Sequence, residues 1–164
     1  MKVLVSDTSV LIDVERGSLF DACFGLPFDF VVPDLLYQRE LKDHGGPDLI
    51  QRGLRVEALD GSGVVLALGY RRRNQSLSLP DSFALALASV NSWILLSGDG
   101  GMRELAHSEG VTCHGVLWLI DQVYEHGLAS ADQICSSIQA IASHPRCRLP
   151  KNEIRKRIRL YCGS

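Results

Sequence analysis

The sequence lacks the features of membrane-embedded and exported proteins. None of its apolar runs approaches the roughly 20 residues that a membrane-spanning helix needs. Asp7 interrupts the apolar stretch at the N-terminus, so this stretch does not match a signal peptide. The chain has 164 residues, of which 46% are hydrophobic and 22% are charged, as in a soluble globular protein of one domain. We therefore expect a cytoplasmic protein without a membrane partner.

Metal-binding motifs built on sulfur or imidazole are also missing. The five cysteines are odd in number, widely spaced and without a C-x-x-C pair, which argues against a disulfide scaffold and a zinc site. The five histidines form no H-E-x-x-H motif, and the "GDGG" run at 98–101 lacks the spacing of a phosphate loop. Any metal is therefore expected to be held by oxygen atoms.

Charge is nearly balanced over the whole chain but is unevenly distributed. Residues 146–164 contain seven Lys or Arg residues against Glu153 alone, a net charge of +6. The remainder contains 10 basic and 18 acidic residues, a net charge of −8. An acidic body with a basic C-terminal segment suggests one surface for cations and another for a polyanion.

Short apolar segments alternate with helical patterns, which predicts a parallel sheet covered by helices on both faces. The predicted strands are 2–6, 29–32, 54–59, 93–97 and 111–114. The predicted helices are 8–16, 18–24, 34–43, 46–52, 62–74, 80–91, 100–109, 115–127, 130–143 and 149–163. We expect a three-layer α/β/α domain over residues 1–145 with about five strands, followed by a basic helical arm over residues 146–164.

Two of the predicted strands lead into an aspartate. Asp7 follows "KVLVS", and Asp99 comes shortly after "WILLS". Ligand sites in open parallel α/β sheets form outside the carboxyl ends of the strands, so both residues are candidates for one site. Each is equally well explained as a helix N-cap, but two such residues at neighbouring strand ends favour a site.

Glu40 interrupts an apolar stripe on the predicted helix 34–43. Leu36, Tyr37, Glu40 and Leu41 have the spacing of residues on one helix face. A glutamate on a buried face is unusual unless it is paired or binds a metal. The alternative to a metal ligand is a salt bridge, for example with Arg103.

Asp81 lies in the first turn of the nearly apolar helix "PDSFALALASV". A carboxylate there is stabilised by the helix dipole, which is a sufficient structural explanation, but it also points towards the edge that carries Asp7. Other acidic residues are expected to have no role in the site. Asp60 is expected to be an N-cap, and four residues fall on polar helix faces: Asp13, Glu15, Asp43 and Glu104.

Four segments resemble the PIN-domain family of metal-dependent ribonucleases, and within it the VapC-like toxins of toxin–antitoxin pairs. They are "VSDTSVLID" (5–13), "VVPDLLYQREL" (31–41), "LSLPDSFALALA" (77–88) and "WILLSGDGGMRELAHSEGV" (93–111), and "HGVLWLIDQV" (114–123) is similar to the last core helix of the family. The four acidic positions of the family match Asp7, Glu40, Asp81 and Asp99. The resemblance does not extend to the basic segment from residue 146.

Clustered carboxylates without basic partners stay ionised together only beside a cation, and all-oxygen ligands suit Mg²⁺ or Mn²⁺. We expect Asp7, Glu40 and Asp99 to hold metal, with Asp81 binding a second ion or orienting the attacking water. Supporting hydroxyl groups are expected from Thr8, Ser9 and Ser97. No Ser-His-Asp or Cys-His set stands out, so covalent catalysis is not expected.

Binding of a polyanion near an acidic site requires basic residues close by. The candidates for contact with RNA or a protein partner are Arg71, Arg72, Arg73, Arg155, Lys156, Arg157 and Arg159, with Arg146, Arg148 and Lys151 in the same arm. A solvated helix face is an equally good explanation of both basic clusters. RNA as substrate, an antitoxin partner and a homodimer are implied by the resemblance alone.

The leading hypothesis is a Mg²⁺- or Mn²⁺-dependent endoribonuclease that acts as a toxin. One alternative is a non-catalytic interaction module with a PIN fold, which the complete acidic set disfavours. The other is a structure-specific DNA nuclease of similar fold, which substrate preference would distinguish.

Overall fold

The computed structural model describes residues 2–163 and contains one sheet of five parallel strands. The order of the strands across the sheet is β3-β2-β1-β4-β5. Their bounds are β1 (Lys2–Ser6), β2 (Phe28–Pro33), β3 (Arg55–Glu57), β4 (Ile94–Leu96) and β5 (Cys113–His114). Residues 1 and 164, the outer ends of the two predicted domains, lie outside the described residues.

Ten α-helices and one π-helical turn connect and cover these strands within residues 2–163. The helices are α1 (Thr8–Arg16), α2 (Phe20–Phe24), α3 (Asp34–Leu36), α4 (Gly46–Arg52), α5 (Gly61–Arg73), α6 (Leu79–Asn91), α7 (Gly100–Ser108), α8 (Val116–Glu125), α9 (Ala131–Ser143) and α10 (Lys151–Tyr161). The π-helical turn, Tyr37–Leu41, continues directly from α3. The predicted elements are confirmed to within about two residues at their ends, but the π-helical turn was not predicted.

Two apolar cores pack on opposite faces of the sheet. Successive residues of a strand point to opposite faces, so Leu4 of β1 contributes to one core and Val5 to the other. The first core contains side chains of α1 and α8–α10, and the second contains side chains of α5–α7. The three-layer α/β/α architecture is therefore confirmed.

The order of the strands reverses between β1 and β4. The chain builds β1, β2 and β3 outward in one direction, and α5 and α6 then return it to the other side of β1. The backbone N–H of Asp7 continues the pairing by donating a hydrogen bond to the carbonyl of Leu96 at 3.0 Å. Crevices form at such switch points, at the carboxyl ends of the strands. This edge is where the sequence places Asp7 and Asp99.

The C-terminal helix packs against the rest of the protein. Ile154 and Tyr161 of α10 are buried in the first core. A disulfide joins Cys135 of α9 to Cys162, the residue after α10. The expectation from cysteine spacing was wrong for this pair, because partners 27 residues apart come together only through the packing of two helices. The boundary at 145/146 stays a prediction.

No helix within the described range is long and apolar enough to span a bilayer. The cytoplasmic location stays a prediction. The Cys135–Cys162 disulfide argues against this prediction, since disulfides are rare in reducing compartments such as the cytoplasm.

Candidate active site

Asp7 lies at the switch point, directly after β1, where it caps the N-terminus of α1. The residue is 2% exposed, and its carboxylate accepts three hydrogen bonds. The donors are the backbone N–H of Val10 at 3.0 Å and the hydroxyl groups of Ser9 at 2.8 Å and Ser97 at 2.6 Å. Asp7 is thus both an N-cap and a fixed carboxylate at the edge of the sheet.

Burial raises the pKa of Asp7 above its ordinary value of 3.8. The hydrogen bonds from Ser97, Val10 and Ser9 oppose this rise, and the nearby carboxylate of Asp99 adds to it. A buried carboxylate with a raised pKa gains from a nearby cation, which favours its charged form.

Asp99 has the same local role at the end of β4 but a different environment. It caps α7, accepting a hydrogen bond from the backbone N–H of Gly101 at 3.0 Å, and its side chain is exposed. The hydroxyl of Ser97 links the two aspartates, because it accepts from the backbone N–H of Asp99 at 3.2 Å and donates to Asp7. The two strand ends are therefore held in one hydrogen-bonded unit.

Asp81 is the third residue of α6 and approaches the same edge. The hydroxyl of the N-cap residue Ser78 accepts a hydrogen bond from the backbone N–H of Asp81 at 3.1 Å, which starts the helix here. Burial raises the pKa of Asp81 to about 6, and the charges of Asp7, Glu40 and Asp99 add to the rise. Asp81 is therefore within electrostatic reach of all three other predicted acids.

Glu40 lies in the π-helical turn, in which the backbone N–H of Lys42 donates to the carbonyl of Tyr37 at 2.8 Å. Its carboxylate accepts a hydrogen bond from the hydroxyl of Thr8 at 2.6 Å and is half-buried. The salt bridge with Arg103 that we considered from the sequence is absent from the described residues. The wider turn leaves Glu40 at the margin of the apolar face.

Three of the four predicted acids line one cavity of about 370 Å³. Its lining residues are Asp7, Ser9, Asp13, Asp81, Gly98, Asp99, Gly100, Arg148 and Leu149, and we call it the acidic cavity. Glu40 is not among them and lines a separate cavity of about 550 Å³ together with residues of α1 and α4. The structure thus gathers Asp7, Asp81 and Asp99, while Glu40 approaches through Thr8.

Asp13 was expected to lie on a polar helix face and to have no role in the site. It lines the acidic cavity, and burial raises its pKa, with Arg16 opposing and Asp7 adding to the rise. Its nearest cation is Arg16, at 3.8 Å between Nη1 and Oδ1. The sequence spacing could have indicated this position, because Ser9 and Asp13 are four residues apart and therefore share one face of α1.

The chemistry of these side chains fits a hard divalent cation, because they offer only oxygen ligands. Within residues 2–163, none of Asp7, Glu40, Asp81 and Asp99 forms an ion pair with a basic side chain. Over the same range, no three carboxylate, imidazole or thiolate groups already have the arrangement of a metal site. The side chains would therefore have to turn towards a bound cation.

The basic residues proposed from the sequence have different environments. Arg71 donates to the carbonyl of Leu77 at 3.2 Å, and Arg73 pairs with Glu109, whereas Arg72 is exposed. In α10, Arg155 donates to the carbonyl of Lys151 and Lys156 pairs with Glu153. Arg157 pairs with both Asp121 and Glu153, while Arg159 is exposed. None of these residues lines the acidic cavity, but Arg148 does.

Comparison with known proteins agrees with this fold. The family model DUF3368, described as a PIN domain, matches residues 3–162. Among solved structures, the chain is similar in fold to a PilT N-terminus domain protein from the archaeon Sulfolobus solfataricus, with a TM-score of 0.53 and 18% identity over 77% of this chain and 96% of that chain. No curated protein matches the chain. From the family match over nearly its whole length, the chain belongs to the PIN-domain family.

Proposed function

We propose that this protein is a Mg²⁺- or Mn²⁺-dependent endoribonuclease and the toxin of a toxin–antitoxin pair. PIN domains are usually nucleases, which supports hydrolysis of a phosphodiester. The observation that carries the proposal is the acidic cavity, where Asp7, Asp81 and Asp99 converge and form no ion pair within the described residues. Such a set stays ionised at neutral pH most readily beside a bound cation.

The metal would be held by Asp7, Asp81 and Asp99, with Glu40 joining from the neighbouring helical turn. When bound, a divalent ion lowers the pKa of a coordinated water and neutralises charge on the phosphate. Asp7 is already oriented by its three hydrogen bonds, and the Thr8 hydroxyl orients Glu40 in the same way. Asp81 lies within electrostatic reach of the other three acids and would bind the same ion or a second one, or orient the attacking water.

Basic side chains near the acidic cavity would offset its repulsion of a polyanion. Arg148 lines the acidic cavity, and Arg103 lines the cavity that adjoins it. Both are exposed and neither forms an ion pair among the described residues. The choice of RNA, the antitoxin partner and the homodimer rest on the family resemblance.

The test is cleavage of single-stranded RNA by the wild type and Asp7→Asn, with Mn²⁺ and with a chelator. We expect Asp7→Asn to lower the rate at least about 100-fold, since metal stabilisation of transition-state charge contributes several kcal/mol. The variant should stay folded, because an Asn side chain still accepts from Val10 and Ser9, and the Ser97 hydroxyl can reverse its direction.

Asp60→Asn is a matched control for this experiment. Asp60 caps α5 as Asp7 caps α1, accepting from the backbone N–H of Gly63 at 2.8 Å, but it does not line the acidic cavity. Its rate should stay close to that of the wild type. Cleavage without added metal, or near-normal cleavage by folded Asp7→Asn, would contradict the proposal. Preferential cleavage of DNA of the same sequence would favour the DNA nuclease, and absence of cleavage would favour the interaction module.

A further inference from the structure

A second cavity adjoins the acidic cavity. Its volume is about 560 Å³, and it shares Gly98, Gly100, Arg148 and Leu149 with the acidic cavity. A Cβ atom placed on Gly98 or Gly100 would meet no atom within 4 Å, so the shared border is open. The two cavities are therefore adjacent, with no side chain at Gly98 or Gly100 to separate them, and a strand bound at the carboxylates can extend into the second cavity.

Three aromatic rings form a ladder beside this second cavity. Trp118 stacks on Phe28 at 6.2 Å with planes 12° apart, and His114 stacks on Trp118 at 4.1 Å with planes 6° apart. Both His114 and Trp118 line the cavity and are half-buried. Among the described aromatic rings, Trp118 is the one that stacks on His114. The ladder therefore ends at a ring that belongs to the cavity wall.

Cationic groups lie in the wall of the same cavity. Arg103 of α7 and Arg148 before α10 are exposed, and neither forms an ion pair among the described residues. Arg157 also lines the cavity, but its guanidinium is engaged by Asp121 and Glu153 and helps to hold the wall in place. The cavity thus combines flat aromatic surface with two cations that are available to an anion.

We propose that this second cavity binds one nucleotide of a single-stranded RNA next to the cleaved phosphate. Its base would stack at the His114–Trp118 wall, and its phosphate would lie between Arg103 and Arg148. The proposal rests on the proposed ribonuclease function for the identity of the strand. Aromatic stacking together with cationic contacts is the usual chemistry of single-strand binding without strict sequence preference.

A nucleotide fits these features better than a peptide segment of a protein partner. A peptide gains little from a stack of flat rings, whereas every base has a π-face that can extend it. The open border with the acidic cavity also places the bound nucleotide on the path of the strand to be cleaved. Arg148 borders both cavities and is therefore placed to contact a phosphate between them.

Binding of a 5′-labelled hexaribonucleotide, measured by anisotropy in the presence of a chelator, tests the aromatic wall separately from cleavage. We expect His114→Ala to weaken binding about 5- to 100-fold, the usual cost of removing one stacking partner. His126→Ala is the matched control, because His126 contacts the Phe28 end of the ladder edge-on at 5.7 Å and does not line the cavity. Binding to the control should be unchanged.

The cationic contacts are tested by the salt dependence of the same binding. Arg103→Gln should weaken binding and lower the slope of log K against log salt by about 0.7, the value for one phosphate contact to a single strand. Arg55→Gln removes the same charge from β3, at the opposite edge of the sheet, and should leave the slope unchanged. In a Trp93→Phe background, Trp118 is the only tryptophan, and its emission should change as the oligonucleotide binds.

Absence of hexanucleotide binding to the wild type would overturn the proposal and would favour a protein partner as the ligand of this cavity. Equal affinities of His114→Ala and His126→Ala, or equal slopes for Arg103→Gln and Arg55→Gln, would overturn it as well. If no protein cleaves RNA but His114→Ala binds more weakly than its control, the nucleotide site stands and the ribonuclease proposal fails. If the wild type cleaves RNA and His114→Ala keeps the same KM, the nucleotide site fails and the ribonuclease proposal stands.

Discussion

The acidic cavity and the C-terminal helix α10 differ in whether their charged side chains form ion pairs. Within the described residues, Asp7, Asp81 and Asp99 share a cavity but form no ion pair. In α10, Arg157 forms ion pairs with Asp121 at 2.8 Å and with Glu153. The charges of α10 are thus partly neutralised inside the protein, whereas no basic side chain among the described residues pairs with these three carboxylates.

The same contrast extends to the other contacts of α10. The hydroxyl of Tyr161 donates to Asp121 at 2.7 Å, and the Cys135–Cys162 disulfide follows the last turn. These contacts fix the helix and the wall of the second cavity, whereas the cations that remain available there are Arg103 and Arg148. A basic segment therefore does not identify the residues that bind an anion until its internal ion pairs are known.

The largest expected effect comes from breaking the disulfide. Cys162→Ser should lower the free energy of unfolding by about 3 kcal/mol, because the loop of 27 residues is no longer closed in the unfolded chain. In a protein of this size the melting temperature falls by roughly 6–12 °C. Thermal melts of Cys162→Ser and of Cys147→Ser, a free half-buried cysteine, provide the comparison. Equal losses in the two variants would mean that the disulfide does not hold α10.

A smaller effect is expected from breaking the ion-pair network of α10. Arg157→Met should cost about 1–2 kcal/mol, because it leaves the half-buried carboxylate of Asp121 without its cationic partner, whereas Glu153 keeps Lys156. Lys156→Met removes an exposed pair with the same Glu153 and should cost clearly less than Arg157→Met. Urea unfolding of both variants measures the difference. A cost for Lys156→Met as large as that for Arg157→Met would contradict the structural role of Arg157.

The smallest expected effect concerns the pH dependence of the metal-free protein. The pKa of the Asp81 carboxyl is about 6 in the folded protein, and its ordinary value is 3.8. Between pH 3.8 and about 6, the folded state therefore binds more protons at this residue than the unfolded state does. Stability from this residue therefore falls as pH rises from about 4 to 6, by less than about 1 kcal/mol after solvent screening.

Asp81→Asn should remove that fall, whereas Asp60→Asn should not, because hydrogen bonds from Gly63 and Ser62 lower the pKa of Asp60. Urea unfolding in a chelator at pH 4, 5, 6 and 7 is the measurement. The same decline in wild type and Asp81→Asn would show that Asp81 does not carry the raised pKa.

The sequence was sufficient to predict the fold and the edge of the sheet at which Asp7, Asp81 and Asp99 come together. Apolar strands that alternate with helices require parallel crossovers, and the carboxyl ends of such strands share one edge. Asp7 and Asp99 follow directly from this rule, and Asp81 follows from the first turn of an apolar helix. The structure adds that Asp7 and Asp99 are also N-caps, so the structural explanation is confirmed for both, and their role in a metal site stays a proposal.

The remaining features depend on contacts that no local pattern records. The π-helical turn changes the face presented by Glu40, and no residue of "YQREL" marks its position. Disulfide connectivity follows from the packing of α9 and α10, as does the position of Arg148 beside the carboxylates. Asp13 is different, because its four-residue spacing from Ser9 puts both residues on one face of α1, and both line the acidic cavity.

The measurement that tests the central claim most directly is Mn²⁺ binding followed by electron paramagnetic resonance, in which free Mn²⁺ is counted as it is taken up. We predict that the wild type and Asp60→Asn bind Mn²⁺ with the same affinity. We predict that Asp7→Asn and Asp99→Asn bind it at least about 10-fold more weakly, because each loses a direct ligand. Equal binding by all four proteins, or no binding by the wild type at millimolar Mn²⁺, would show that these carboxylates do not form a metal site.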